Sequence, residues 1–101
     1  MQYRKTMAKK TARASHILLK SKADAVNVKN NIDKYKHFQK YAQRMSSCPS
    51  GKKGGDLGTF NQGDMVREFD TVVWSQPLNT VSEPIKTQFG YHLIWVHERT
   101  D

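Results

Sequence analysis

Two histidines sit where strands are predicted. In ASHILLK, residues 14–20, His16 shares a face with Ala14 and Leu18, while Ser15, Ile17 and Leu19 share the other, because strand side chains alternate with a period of two. In YHLIWVH, residues 91–97, His92 shares its face with Ile94 and Val96, just after a turn glycine, Gly90. Taken singly, each histidine reads as a satisfied core residue. Two of them in the first and last strands carry more weight, because those strands can lie side by side. A neutral pair can share one N–H···N bond, with an outer nitrogen on a hydroxyl such as that of Thr87. Cys48, in a glycine-rich loop, reads as a small buried side chain. Met65 and Phe69, on one face of a predicted helix, read first as core.

Other chemistries find no support in the sequence. There is no serine–histidine–aspartate arrangement around a nucleophile elbow, and no pair of carboxylates can be placed. His16, His37, His92, His97 and Cys48 lack the spacing of metal ligands, so neither metal nor cofactor is expected. Gly54, Gly55 and Gly58 lie in a loop with no Lys-Ser/Thr pair opening a helix after it, which rules out a phosphate loop.

A chain of 101 residues with a net charge of +8 is long enough for one domain with a modest core. Its charge is uneven. Residues 1–53 hold fourteen Lys/Arg against two Asp/Glu, and residues 54–101 hold three against seven. A basic half can attract nucleic acid or a weak acidic partner. Solubility is the preferred reading, because a single aromatic, Tyr3, lies in the basic tail, and one ring does not make the interleaved series that a stacking platform requires. The lone cysteine, Cys48, forbids an internal disulfide and fits a reducing compartment. No apolar run has the length of a membrane span, and the basic N-terminus has no apolar signal core. The expected location is cytoplasmic, the expected state a monomer.

These residues must be positioned by a small set of elements. Residues 1–12 are expected to form a flexible basic tail, and 13–101 a single domain. Residues 13–20 read as a central strand covered on both faces. Ser21 offers an N-cap to a helix with the stripe Ala25, Val28, Ile32 and Tyr35. A second helix, residues 36–46, would bury Phe38, Tyr41, Ala42 and Met45, with Lys36, Lys40 and Arg44 on a solvated face. Residues 46–60 form a loop that ends in a short strand at 57–60. Asp64 is expected to cap a third helix, on which Met65, Phe69 and Val72 share a face. Ile85–Lys86 and Tyr91–His97 flank a turn at Gln88–Gly90. The order β-α-α-β-α-β-β, with room for an additional short helix, predicts an α+β sandwich.

The motifs ASHILLK, SSCPSGKKGGDLGTFNQGDMVREFD and TQFGYHLIWV, taken together, resemble the parvulin family of peptidyl-prolyl cis/trans isomerases over nearly the whole chain from Arg13 to Arg99. The resemblance implies a four-stranded, mostly antiparallel sheet surrounded by helices. It also implies an enzyme that rotates Xaa–Pro bonds in unfolded or flexible protein segments, assisting folding. His16 and His92 take the family's two histidine positions, Cys48 the position held by cysteine or aspartate, and Thr87 a hydroxyl position bonded to the histidines. Leu57, Met65, Phe69 and Phe89 take the positions lining the proline pocket. The partners implied are proline-containing peptides and unfolded proteins. A chaperone-like binding module with little turnover would use the same pocket. Where many members have proline before the pocket phenylalanine, this chain has Glu68. The stretch KSKADA after the first strand is short and lacks an arginine cluster, which implies no strict requirement for phosphoserine or phosphothreonine.

Overall fold

A computed structural model describes residues 10–100; the expected tail at 1–9 lies outside the described residues. The elements run β1 (Thr11–Leu19), α1 (Lys22–Asn30), α2 (Tyr35–Met45), a short 3-10 helix (Pro49–Lys53), β2 (Asp56–Asn61), α3 (Arg67–Val73), β3 (Ile85–Thr87) and β4 (Gly90–Arg99). Strand β1 therefore begins at Thr11, and Thr11 and Ala12 pair with Asn61 and Phe60 rather than belonging to a tail.

The four strands form one antiparallel sheet in the order β2-β1-β4-β3. The first and last strands are thus the central pair, matched from Ala12↔Arg99 to Leu19↔Tyr91. Both faces of this pair are covered, as the two apolar faces of β1 predict. On one face Ile17, Leu19, Leu93 and Trp95 pack with Ala25, Val28, Phe38 and Ala42 of α1 and α2. On the other, Ala12, Ala14, Ile94 and Val96 pack with Phe60 and with Phe69 and Val73 of α3. A layer of helix on each side of a small sheet gives the expected α+β architecture.

The helix ends show where sequence reading and structure part. Ser21 does cap α1, accepting the Asp24 N–H at 3.1 Å. Helix α3 starts later than expected, with Val66 at its N-cap and no side-chain cap. Asp64 instead accepts the Asn61 N–H at 2.9 Å, closing the turn after β2. Met65 consequently lies on the lead-in to α3, not on the helix. At its other end α3 is held to the sheet by Arg99, which donates to the carbonyls of Val73 and Gln76 at 3.2 and 2.5 Å, a cation placed at a helix C-terminus. On α2, Phe38 and Ala42 are buried, but Met45 is 41% exposed.

Candidate active site

On the α3 face of the sheet, β1 and β4 bring the two histidines together. His16 pairs across the ladder with Ile94, and His92 with Leu18, so the two rings are diagonal neighbours on one face, within reach of each other. Their Nδ1 atoms are 3.0 Å apart and the rings lie nearly parallel, centroids 5.2 Å apart at 19°. Phe69 of α3 stands edge-on to both, 5.6 Å from His16 and 5.5 Å from His92. Behind the pair, Thr87 Oγ1 lies 2.7 Å from His92 Nε2 and accepts the Phe89 N–H at 3.1 Å.

The proton count in this chain of bonds is constrained. An Nδ1···Nδ1 contact at 3.0 Å is a hydrogen bond only if one nitrogen donates and the other accepts. With both rings neutral, two arrangements satisfy every bond. Thr87 donates to His92, which donates to His16, leaving the His16 proton on Nε2. Alternatively each bond is reversed, and His16 Nε2 is a bare lone pair. In both, the free end of the chain is His16 Nε2, buried and without a hydrogen-bond partner among the described residues. Neutrality follows from burial: His16 and His92 are 6% and 4% exposed. Burial, with the neighbouring His92 adding to it, pushes the His16 pKa down from 6.5 to about 4. His92 is also pushed down by burial, partly opposed by the charge of Glu68.

Above the pair lies an open cavity of about 370 Å³. Seven of the eight residues singled out from the sequence line it: His16, Cys48, Leu57, Met65, Phe69, Phe89 and His92; the eighth, Thr87, sits behind the pair. Phe89 at the tip of the β3–β4 turn is 60% exposed and forms a rim rather than a floor. Leu18, Ser47, Pro49 and Val66 also line the cavity and were not anticipated as site residues. Leu18 carried a readable signal, since it is two residues from His16 on the same strand face. Val66, at the N-cap of α3, lies three residues before Phe69, a helical spacing; Ser47 and Pro49 are placed by loop geometry that no periodicity reports.

That loop geometry has identifiable causes. Ser46 Oγ accepts the Leu18 and Cys48 N–H groups at 3.0 and 3.3 Å, and the Ser47 N–H donates to the Leu18 carbonyl at 2.8 Å. Cys48 is thereby stitched to β1 at the cavity wall, where its sulfur accepts the Ser50 hydroxyl at 3.3 Å. Gly55 accepts the His16 N–H at 2.9 Å with φ +88°. A Cβ there would stand 2.5 Å from the His16 carbonyl oxygen, so this glycine fixes the backbone that presents the histidine.

The remaining histidines are elsewhere. His97 Nε2 lies 2.8 Å from Ser15 Oγ on the opposite face of the sheet, and His37 Nδ1 accepts the Asp33 N–H at 3.2 Å. Among the described residues no three His, Cys, Asp or Glu side chains gather as metal ligands would.

Residues 1–100 match the PPIC-type PPIase domain family. The chain is 42% identical over 90 residues to the foldase protein PrsA of a Geobacillus species (strain WCH70), an alignment covering 88% of this chain and 33% of that protein. The chain therefore spans about a third of that relative's length. Among solved structures it superposes on the peptidylprolyl isomerase PrsA of Bacillus anthracis with a TM-score of 0.86 at 34% identity, covering 96% of this chain and 45% of the other. It superposes on NmPin, the parvulin of Nitrosopumilus maritimus, with a TM-score of 0.75 at 35% identity, covering 90% and 98%.

Proposed function

This chain belongs to the PPIC-type peptidyl-prolyl cis/trans isomerases, the parvulins, and from that premise we propose that its cavity binds the proline of an unfolded or flexible segment and rotates the preceding peptide bond. The observation that carries this reading is an apolar cavity floored by a neutral histidine pair. The barrier to rotation comes from amide resonance and is ~18–20 kcal/mol. The planar amide holds more charge separation than the twisted one. A water-poor, apolar pocket therefore favours the twisted geometry relative to the planar. In this reading Leu57, Met65, Phe69 and Phe89 hold the proline ring and exclude water. His92 and Thr87 hold His16, whose unpartnered Nε2 is the buried polar group left for the substrate amide. Shielded from solvent in this structure, this nitrogen meets a substrate amide once the side chains above it give way, and it donates in the arrangement that carries the His16 proton on Nε2.

No step transfers a proton or forms a bond to the protein. Cys48 Sγ is in contact with Ser50 Oγ, whereas a cysteine nucleophile needs a neighbouring base. We read Cys48 as a polarisable part of the wall. The clients we propose are proline-containing, incompletely folded chains, met by the domain as a monomer. The relatives lend no support to a nucleic-acid partner for the basic half. Nor do they support the expected cytoplasmic location; among the described residues no helix is long and apolar enough to cross a membrane.

The test is two-dimensional exchange NMR on short Xaa–Pro peptides with and without Met65→Ala. Accelerated exchange in the wild type, reduced at least tenfold in the variant, is the expected result. Binding without acceleration would replace this reading with a chaperone-like module, and neither binding nor acceleration would overturn both.

A further inference from the structure

A peptide with its proline in the cavity must leave across the rim, and the sides of the rim differ. The Phe89 side is apolar and exposed. On the α3 side, Arg67 and Glu68 precede Phe69 and offset each other's charge. On the third side, the cavity wall formed by Ser47, Cys48 and Pro49 is shared with a second open cleft of about 340 Å³. This cleft runs between the end of α2 and the 3-10 helix. Gln43 and Ser46 line it on one side and Lys52 on the other, and Lys52 is the only charged side chain among its lining residues. Arg44 and Lys53 are exposed next to Gln43 and Lys52. None of Arg44, Lys52 and Lys53 has an acidic partner among the described residues.

We propose that this second cleft is a specificity subsite, in which Lys52 selects an acidic residue lying within about three positions of the substrate proline. The proposal rests on the isomerase reading and names a preference of the same site. Three observations support it. The two open cavities adjoin, with Ser47, Cys48 and Pro49 in the lining of both, so an extended chain that leaves the first over these residues meets the second. At ~3.3 Å per residue, two or three residues span a cleft of this size. The lining changes from apolar in the first cavity to polar and positive in the second, with no carboxylate lining the second to neutralise Lys52. Gly51 narrows the geometry further: a Cβ there would stand 2.6 Å from the Ala42 carbonyl oxygen, so the 3-10 helix is pressed against α2 and Lys52 is carried on a fixed backbone.

A solvent-exposed ion pair is worth ~0.2–1 kcal/mol, which converts to about a 1.4- to fivefold preference. The experiment measures kcat/KM by exchange NMR at low ionic strength. The peptides place Glu, Gln or Lys in turn at each of the three positions on either side of an Ala-Pro core. The expected result is a Glu over Gln preference of about two- to fivefold at one or two adjacent positions on one side of the proline only. That preference should collapse towards one in 0.5 M salt and disappear in Lys52→Glu. A charge-matched control is Lys34→Glu at the far end of α2, ~16 Å away along the helix, which should keep the preference. Equal rates for Glu and Gln peptides that the enzyme does accelerate would overturn the subsite and leave the isomerase reading standing. A Glu preference at every position, lost equally in Lys34→Glu, would assign it to the net charge of the domain and also overturn the subsite. No acceleration of any peptide would overturn the isomerase reading and the subsite with it.

Discussion

Acid should weaken this fold through His16, by an amount the structure sets. The ring has a pKa of about 4 in the folded chain against 6.5 for the free side chain. Above pH 6.5 it is neutral in both states, and the shift contributes nothing. Between pH 6.5 and 4 the unfolded chain binds a proton that the folded chain does not, so stability falls with falling pH. Below pH 4 the loss saturates at about 3 kcal/mol, from ~1.4 kcal/mol per unit; at pH 5 it is about 2 kcal/mol. The perturbation is His16→Gln, which removes the titration and keeps an amide able to bond His92. Urea unfolding followed by the fluorescence of Trp74 and Trp95 at pH 7.5 and pH 5 gives the stability of each protein. The wild type should lose about 2 kcal/mol more than the variant over this interval. His92 and His97, both pushed down mainly by burial, are present in both proteins. Asp56, held low first by its hydrogen bond from Arg13, keeps its contribution until the pH falls into and below the ordinary carboxylate range, outside this interval. Equal losses in the two proteins would mean that His16 is not held neutral by burial, and the account of the pair would fail with it.

Replacing Thr87 with valine removes the hydroxyl that holds His92 Nε2 and accepts the Phe89 N–H. It should cost about 1–3 kcal/mol in a urea titration and lower isomerase activity, and unchanged values would remove Thr87 from the site. Gly55→Ala meets the His16 carbonyl at 2.5 Å, whereas Gly58→Ala, also at positive φ, meets nothing within 4 Å. The first should cost at least about 1 kcal/mol more than the second and should alone shift the ring resonances of His16 and His92 in NMR spectra. Cys48→Ala should keep kcat/KM within about fivefold, since a wall residue is lost but no bond-forming step; a nucleophile would lose about a thousandfold or more, and such a loss would refute the non-covalent mechanism.

The parts of this fold that were legible in the sequence are those where one element faces apolar neighbours with a regular period. The β1 segment gave two apolar faces, and both are covered. The same alternation put His16 and His92 on defined faces, although their pairing required knowing that the first and last strands are adjacent. The failures have physical reasons. Asp64 has the right chemistry for an N-cap, but the turn after β2 takes it first, and local competition of this kind is invisible to spacing rules. Met45 continues the stripe of α2 in sequence, yet it is exposed, because a helical period reports which face a residue is on and not whether another element covers it there. Ser47 and Pro49 enter the cavity wall because Ser46 ties the end of α2 to Leu18, a contact between residues 28 apart that no local pattern encodes.

Contacts around the histidine pair hold its geometry in a small domain without a reactive group. The two histidines offer four ring nitrogens; two bind each other, one binds Thr87, and one is left over. Adding a polar partner for His16 Nε2 from the protein would satisfy the ring and stabilise the fold by about a hydrogen bond, but in the proposed mechanism it would also close the site to the substrate amide. Leaving that nitrogen buried and unpaired is a local cost to stability. It is tolerable because Phe69 packs against both rings, Gly55 fixes the backbone at His16, and Thr87 holds the far end of the pair. In the mechanism proposed above, rotation about a peptide bond uses a dry wall, a held ring and one polar atom. A site with a free carboxylate or a charged histidine would draw water into the cavity and favour the planar, more polar amide. The burial that keeps His16 neutral in the folded chain is also the reason the fold weakens in acid.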